Sequence, residues 1–205
     1  MDDEELARAF SGARDGDQHA FAVLWRSLQP SVLRYLRVVV GEAAQDVASD
    51  TWLQAARDIQ GFRGDANGFR VWLFRVARNR GLDELRRRGR RPEELHSLTG
   101  YEGQAPAPDA AAEALDRLDT DWALAVIATL PKDQAEAVML RVVAGLDVAQ
   151  TATVLGKRPG AVRVAAMRGL RRLAAHAEVQ ARRGGVAARP ARLAVGHEAP
   201  RPEGV

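Results

Sequence analysis

The chain has 205 residues, of which 46% are apolar and 28% charged, and this length and composition suit one large or two small folded domains. The absence of cysteine excludes disulfide bonds and thiolate zinc sites and is typical of proteins in the reducing cytoplasm. No apolar run approaches the length of a membrane span, and the acidic start MDDEE is unlike a secretion signal, so a cytoplasmic protein is expected.

The net charge of +3 is unevenly distributed along the chain. Ten arginines lie in residues 63–91, and six basic residues without any acid lie in residues 157–172. Between these blocks, residues 92–121 contain eight acidic residues and one arginine. Two basic blocks separated by an acidic stretch indicate two contacts on one polyanion, although two solvated helix faces would give the same pattern.

Apolar spacing predicts two helices in the first sixty residues. The first covers residues 20–40, is kinked or broken at Pro30, and ends at Gly41. The second covers residues 42–58. Its apolar stripe consists of Val47, Trp52, Leu53 and Ala56.

A third helix is predicted over residues 69–88, after a glycine-containing loop at residues 61–68. Aromatic and basic side chains alternate along it, as single-stranded DNA binding requires, and the loop beside it is suited to an extruded base. Trp72 and Phe74 individually also fit a core position, which we favour for them, whereas we assign the arginines as a set to nucleic acid. Arg75, Arg78 and Arg86 are the candidates to follow a DNA backbone.

Glycine and proline recur throughout the polar stretch of residues 89–108, and this composition predicts a flexible linker. Helical periodicity resumes near Asp109 and stops at Pro131. Residues after 175 show little periodicity and predict a disordered tail. The predicted fold is therefore all-α, with two small helical domains joined by a flexible linker. The expected boundaries are 1–91 for the first domain, 92–118 for the linker, 119–175 for the second domain and 176–205 for the tail.

Residues 131–173 predict three further helices. Asp133 is expected to cap the first, with Glu136 reaching back to the cap. Its apolar residues are Val138, Leu140 and Val142, and Gly145 closes it.

The second of these helices is short and is capped by Asp147 with Gln150 at the matching third position. Gly156 permits a tight turn, and Pro159 suits the first turn of the last helix. The core stripe of that helix is predicted to be Val162, Ala166, Leu170 and Leu173, whereas its polar face carries Arg163, Met167, Arg168, Arg171 and Arg172. A short helix, a glycine turn and an arginine-faced helix predict a helix-turn-helix, in which the last helix enters the major groove.

In combination, these stretches resemble an extracytoplasmic-function RNA polymerase sigma factor of the sigma-seventy superfamily. Residues 44–55 (AQDVASDTWLQA) resemble the family's polymerase-binding helix, and residues 72–79 (WLFRVARN) with 82–88 (LDELRRR) resemble its promoter-melting helix. Leu130-Pro131, Gly145-Leu146 and residues 160–163 (GAVR) resemble the domain that binds the upstream promoter element.

The resemblance implies core RNA polymerase, promoter DNA and an anti-sigma factor as partners, with no catalytic residue, cofactor or metal. Contact with the clamp helices of the largest polymerase subunit is implied for Asp46, Asp50, Thr51 and Leu53. Contact with the minus-ten element and the separating strands is implied for Phe62, Arg63, Asn67, Trp72, Arg75, Arg78, Asn79 and Arg86. Contact with the minus-thirty-five element is implied for Lys157, Arg158, Arg163, Val164, Met167, Arg168 and Arg171.

Three other functions were weighed from the residues. Asp46 and Asp50 lie one helical turn apart and are candidate ligands for a divalent metal in a nucleotide hydrolase, but the four histidines show no metal-binding spacing. A dimeric repressor or activator explains the helix-turn-helix but not the arginine–aromatic helix. A pure interaction module explains neither basic face.

Overall fold

The computed structural model describes residues 2–90 and 119–187, and every regular element in these ranges is helical. The chain divides into two compact units, residues 1–173 and 174–205. The first unit holds an N-terminal helical domain and a C-terminal helical domain. The predicted linker, residues 92–118, lies outside the described residues. No helix in the described ranges is both long and apolar enough to span a bilayer.

The N-terminal domain consists of α1 (Asp3–Arg14), α2 (Gln18–Val40), α3 (Ala44–Asp58) and α4 (Ala66–Arg90). Asp2 and Glu5 form a capping box at the start of α1, where the Glu5 amide donates to Asp2 Oδ1 at 2.7 Å. Asp17 caps α2 by accepting hydrogen bonds from the amides of His19 and Ala20. These carboxylates satisfy amide groups that have no partner within the helix.

Helix α2 runs unbroken through Pro30, so the predicted break is wrong. Proline removes one intrahelical hydrogen bond, which by itself disfavours a helix by about 3 kcal/mol. Leu28 and Val32 on either side of Pro30 are buried, and so are Tyr35 and Leu36 one turn later. Burial of four large side chains on one face outweighs the missing bond.

Helix α3 buries a different stripe from the one that the sequence predicts. Val47 and Trp52 are buried as expected, but Leu53 and Ala56 are exposed. The small residues Ala48 and Ala55 and the hydroxyl-bearing Thr51 occupy the core face instead. Helix α3 packs closely on α2 and α4, and small residues allow that approach.

Helix α4 begins at Ala66, three residues earlier than predicted, so Asn67 and Gly68 belong to the helix rather than to the loop. Asp65 explains the early start, because its Oδ1 accepts a hydrogen bond from the Gly68 amide at 2.7 Å. This is the bond of an N-terminal cap.

The C-terminal domain consists of α5 (119–128), α6 (Lys132–Val138) continued by a π-helical turn (Met139–Val143), α7 (Val148–Leu155) and α8 (Pro159–Ala175). Helix α6 is preceded by Pro131 and has no side-chain cap, so the predicted cap by Asp133 with Glu136 is wrong. Val142 is 62% exposed rather than buried, because the π turn accommodates one extra residue and moves Val142 off the core face.

The predicted cap and turn of this domain are confirmed, whereas the predicted core stripe of α8 is confirmed only in part, since Ala166 and Leu173 are half-buried. Asp147 and Gln150 form a capping box on α7, with both hydrogen bonds at 2.8 Å. Gly156 has a φ of 64°, a left-handed conformation that suits glycine at the turn into α8. On α8, Val162 is buried, but Leu170 is exposed and the neighbouring Gly169 lies against α6 in its place.

In the second unit, α9 (Ala177–Ala187) lies where the sequence predicts disorder. The Gln180 side chain donates a hydrogen bond to the Ala174 carbonyl, and the Gln180 amide donates to the His176 carbonyl at 3.0 Å. Alanine, glutamate and arginine in this segment favour helix. Residues 188–205 lie outside the described residues.

Candidate nucleic-acid interface

The outward face of α8 carries most of the residues that the resemblance implies for upstream DNA. Val162, on the opposite face of the helix, is buried in the core. The side chains at positions 163, 167 and 171 follow one another at one-turn intervals and are all exposed to solvent. Arg163, Met167, Arg168 and Arg171 are exposed, and Val164 at the edge of the same face is also exposed. A cationic face with two apolar side chains on a helix of this length fits a major groove.

The turn before α8 contributes two more cations. Arg158 is exposed directly before Pro159. Lys157 is half-buried, and its Nζ lies 2.5 Å from Oδ2 of Asp133 at the start of α6. This pair connects the turn to α6 and holds the Lys157 ammonium group beside the N-terminal end of α8.

One face of α4 presents four of the residues implied for downstream DNA. Trp72, Arg75, Asn79 and Arg86 recur at spacings of three, four and seven residues, which places them on one side of the helix. Arg75, Asn79 and Arg86 are exposed, and Trp72 is half-buried. Arg86 also pairs with Asp83 at 2.8 Å, on the solvent side where such pairs are weak.

An aromatic cluster anchors the loop before α4. The rings of Phe62, Phe69 and Trp72 lie with centroids 5.5–5.7 Å apart, and Phe10 of α1 adds a fourth ring. Phe69 and Phe10 are buried in the core, whereas Phe62 and Trp72 are only partly buried. The core position that the sequence favours for Trp72 is thus only partial, while Phe74 is fully buried. Arg63 and Asn67 flank the cluster and are exposed.

Arg78 differs from the other predicted DNA contacts because it faces the C-terminal domain. Its Nε donates to Oε2 of Glu136 at 2.9 Å, and the two side chains are 18% and 3% exposed. Tyr35 lies beside them: burial and the Glu136 carboxylate raise the pKa of its hydroxyl, and Arg78 opposes this rise. The nearby Arg70 donates to the Ala144 carbonyl, and burial lowers the pKa of Arg70.

The exposed face of α3 carries three of the four residues implied for polymerase binding. Asp46, Asp50 and Leu53 lie at spacings of four and three and are all exposed, with Leu53 at 56%. Thr51 does not belong to this face, because it is fully buried and its Oγ1 donates to the Val47 carbonyl at 2.7 Å. The predicted contact of Thr51 with the polymerase stays a prediction, and the Thr51 side chain is not accessible on the surface of this structure.

Asp46 and Asp50, the candidate metal ligands of the hydrolase hypothesis, are exposed on the same face of α3. Across residues 2–90 and 119–187, no three acidic or histidine side chains gather at metal-binding distances.

Sequence reasoning did not identify Glu136 and Arg70 as partners in a contact between the domains. Glu136 was assigned to a helix cap, and Arg70 was one of many arginines. A carboxylate in the middle of the apolar run of α6 is the one local signal for a buried ion pair, because charges are seldom buried without a partner.

Comparison with family models matches residues 24–91 to sigma-70 region 2 and residues 120–173 to sigma-70 region 4. The first match covers α3, α4 and most of α2, and the second covers α5 to α8. The two matches thus coincide with the two helical domains that carry the faces described above.

Two curated relatives are similar over most of the chain. The ECF RNA polymerase sigma factor BldN of Streptomyces coelicolor is 32% identical over 177 residues, covering 84% of this chain and 66% of BldN. The ECF RNA polymerase sigma factor SigD of Mycobacterium tuberculosis is 30% identical over 187 residues, covering 84% of each chain. Among solved structures, RpoE bound to the anti-sigma factor NepR from Bartonella quintana has a TM-score of 0.57 at 21% identity, covering 78% of this chain and 96% of that chain. This last likeness concerns the fold.

Proposed function

Because this chain belongs to the ECF RNA polymerase sigma factors and directs RNA polymerase to promoters, we propose that α8 reads the upstream promoter element while α4 binds the melted downstream strand. The observation that carries the proposal is the exposed arginine face of α8, which lies opposite the buried Val162 and ends a helix-turn-helix. Arginine side chains there suit guanine edges and phosphates in a major groove.

The downstream contact is assigned to Trp72, Arg75, Asn79 and Arg86 of α4, with Asn67 from its first turn and Phe62 and Arg63 from the preceding loop. The partly accessible rings of Phe62 and Trp72 are candidates for stacking with bases, and the exposed cations offer phosphate contacts. In this proposal the chain performs no bond chemistry, since an unstacked base held by the protein is enough to favour strand separation.

The polymerase contact is assigned to the α3 face of Asp46, Asp50 and Leu53. An exposed leucine flanked by two carboxylates suits a partner surface with an apolar centre and basic surroundings. Core RNA polymerase, promoter DNA and an anti-sigma factor are the proposed partners.

The α8 and α4 contacts with promoter DNA are each weak, but a chain that makes both binds the DNA more tightly than either contact alone would allow. Once one contact has formed, the second forms within the same complex. Polymerase bound to α3 would hold the two domains at the spacing of the promoter elements, and the acidic stretch between them would occupy a positively charged channel of the enzyme.

The decisive experiment is run-off transcription with purified core polymerase on genomic promoter fragments, with and without the full chain. New transcripts that begin at defined sites and require the chain are expected. A chain that neither joins core polymerase nor changes its start sites would contradict the proposal.

The assignment of α8 is tested with Arg163→Ala and Arg168→Ala. Each change should weaken binding to the upstream element by about 1–3 kcal/mol if the arginine contacts a base. Electrophoretic mobility of holoenzyme on promoter DNA gives the affinity. Arg8→Ala is the control, because Arg8 is an exposed arginine of α1, outside the helix-turn-helix, and its loss should change binding to the upstream element little.

A further inference from the structure

The outward surface of α8 carries apolar side chains between its arginines. Val164 is 41% exposed and Met167 is 43% exposed. A single exposed apolar residue needs no explanation in a folded protein, but these two are neighbours one turn apart on the helix assigned to upstream DNA. They form an apolar patch, and the arginine contacts do not explain its role.

Helical geometry places Val164 and Met167 on the side of α8 that faces away from the core. An α-helix has about 3.6 residues per turn, so successive positions differ by a rotation of about 100°. Val164 lies two positions after Val162, and Met167 lies two positions before Gly169, and both Val162 and Gly169 are buried. A rotation of about 200° puts each apolar side chain almost opposite a buried residue, on the outermost line of the helix.

Arginines flank this outermost line. Arg163 precedes Val164 and Arg168 follows Met167, so the two guanidinium groups project to opposite sides of the line, and both are exposed. In a helix that lies in the major groove, the outermost side chains approach base edges, while cations on the flanks can reach phosphates. The apolar patch is therefore the part of α8 that enters the groove most deeply.

The side chains of the apolar patch suit one feature of the base edges. Valine has no hydrogen-bonding group and the methionine thioether is only a weak acceptor, so neither matches the polar edges of guanine, adenine or cytosine. The C5 methyl group of thymine is the apolar group that base edges present in the major groove. Contact with that methyl group removes apolar surface from water, whereas contact with a polar edge leaves a donor or acceptor without a partner.

The spacing of the two side chains predicts the spacing of the methyl groups. Three residues of α-helix rise by about 4.5 Å. Neighbouring base pairs of a duplex are about 3.4 Å apart. Val164 and Met167 therefore reach neighbouring base pairs when α8 lies along the groove.

The charge around the apolar patch favours DNA over a protein as its ligand. Residues 157–175 contain six basic residues and no acidic residue. Arg158, Arg163, Arg168 and Arg171 among them are exposed. A duplex satisfies both properties, because its phosphates neutralise the flanking cations and its thymines offer methyl groups between them.

We propose that Val164 and Met167 read the C5 methyl groups of thymines at neighbouring positions of the upstream promoter element. The protein accordingly selects T·A pairs at the centre of its contact with α8, while Arg163 and Arg168 hold the DNA on either side. The identification of the ligand as upstream promoter DNA rests on the proposed function.

Deoxyuridine tests the proposal at a single group, because it replaces the thymine methyl group by hydrogen and retains the base pair. The upstream element is located from the start sites of the run-off transcripts, and duplexes carry deoxyuridine at one upstream thymine at a time. Competition for holoenzyme in an electrophoretic mobility assay gives the relative affinities. We expect about fourfold weaker binding at each of two neighbouring thymines, the effect of one buried methyl group, and little change at other thymines.

Variants of the apolar patch show which side chain meets each methyl group. Val164→Ala should lose the deoxyuridine effect at one of the two thymines and Met167→Ala at the other, because the shortened side chain no longer reaches the methyl group. Met167→Leu keeps an apolar side chain of similar volume and should keep both effects. Val142→Ala is the control, since Val142 is 62% exposed but lies outside the helix-turn-helix, and should also keep both effects. All four changes are at exposed positions, and urea unfolding checks that each variant is folded.

Three outcomes would overturn the proposal while the proposed function stands. The first is an upstream element without thymine, or one that tolerates deoxyuridine at every thymine. The second is retention of both effects by Val164→Ala and Met167→Ala, which would mean that the methyl groups act through the shape of the DNA. The third is weaker association of these two variants with core polymerase while both deoxyuridine effects persist, which would assign the patch to a protein. A holoenzyme that binds no upstream DNA would overturn the methyl contacts and the proposed function together.

Discussion

Thr51 and Leu53, two positions apart on α3, have opposite environments, and this separates stability from recognition at the level of single side chains. Thr51 is fully buried and bonded to its own helix, whereas Leu53 is 56% exposed. Both belong to the stretch that resembles a polymerase-binding helix. Only the burial of each side chain tells which of them can meet a partner.

We therefore expect Leu53→Ala to weaken binding to core polymerase by about 1–2 kcal/mol while the free energy of unfolding changes by less than about 0.5 kcal/mol. Affinity is measured by titration of labelled chain with core polymerase, and stability by urea unfolding. Thr51→Val is the matched control, since it alters a buried hydroxyl and should leave the polymerase affinity unchanged. Weaker binding for Thr51→Val alone would reverse the assignment.

Residue roles that depend on a distant partner could not be predicted from the sequence. Asp147 and Gln150 lie three residues apart, so their mutual hydrogen bonds follow from local spacing. Arg78 and Glu136 lie 58 residues apart, and nothing local indicates that they meet. The sequence accordingly predicts a cap for Glu136, a role that requires only neighbouring residues.

At the scale of elements, the short helix α7 depends strongly on its capping box. It has only eight residues, and isolated helices of this length are marginal in water. The Asp147 side chain satisfies the Gln150 amide, and α7 in turn supports the turn that orients α8.

Asp147→Ala should destabilise the C-terminal domain by about 1 kcal/mol, the usual effect of losing a capping side chain. Hydrogen exchange of the α7 and α8 amides measures this change within the full chain. Thr153→Ala on the exposed side of α7 is the control and should change exchange little. Equal protection in both variants would mean that tertiary packing alone fixes α7.

Element boundaries were predictable where a single residue sets them, as at Gly41, Gly156 and Pro159. They were missed where packing overrides a local preference. Pro30 lies within an unbroken helix because the residues around it are buried, and Val142 leaves the core because a π turn shifts the register by one residue. Neither effect is visible in apolar periodicity.

For the whole molecule, the exposed cations of α4 set how many phosphates of a single strand this helix can neutralise at once. Arg75 and Arg86 are exposed, whereas Arg70 and Arg78 are hydrogen-bonded to the Ala144 carbonyl and the Glu136 carboxylate of the C-terminal domain. Each neutralised phosphate of a single strand adds about 0.7 to the slope of log affinity against log salt concentration.

The salt dependence of single-stranded oligonucleotide binding should therefore be shallower when Arg75 and Arg86 are both replaced by alanine, by about 1.4 for two lost contacts. Anisotropy titrations at several potassium chloride concentrations give the two slopes. Glu42→Gln, which changes an exposed side chain outside α4, should reproduce the slope of the unchanged chain. Weaker binding with an unchanged slope would mean that Arg75 and Arg86 do not reach phosphates.

The all-α fold with two helical domains followed from composition, periodicity and turn residues. The packing of the domains on each other did not, because it depends on α4 meeting α7, a helix far away in the sequence. Apolar periodicity identifies which face of a helix must be buried, but it does not identify the distant helix that packs on that face.

The bare backbone at Gly145 has a consequence for how the contact between the two domains can change in evolution. Every one-base missense change in a glycine codon introduces a Cβ atom, and at this position that atom would lie 2.5 Å from Arg70 Nη2 on a backbone whose φ of 64° already disfavours a side chain. The tip of Arg70 would then have to move, so a single nucleotide change can alter the packing of α4 on the C-terminal domain without replacing any residue assigned to promoter recognition.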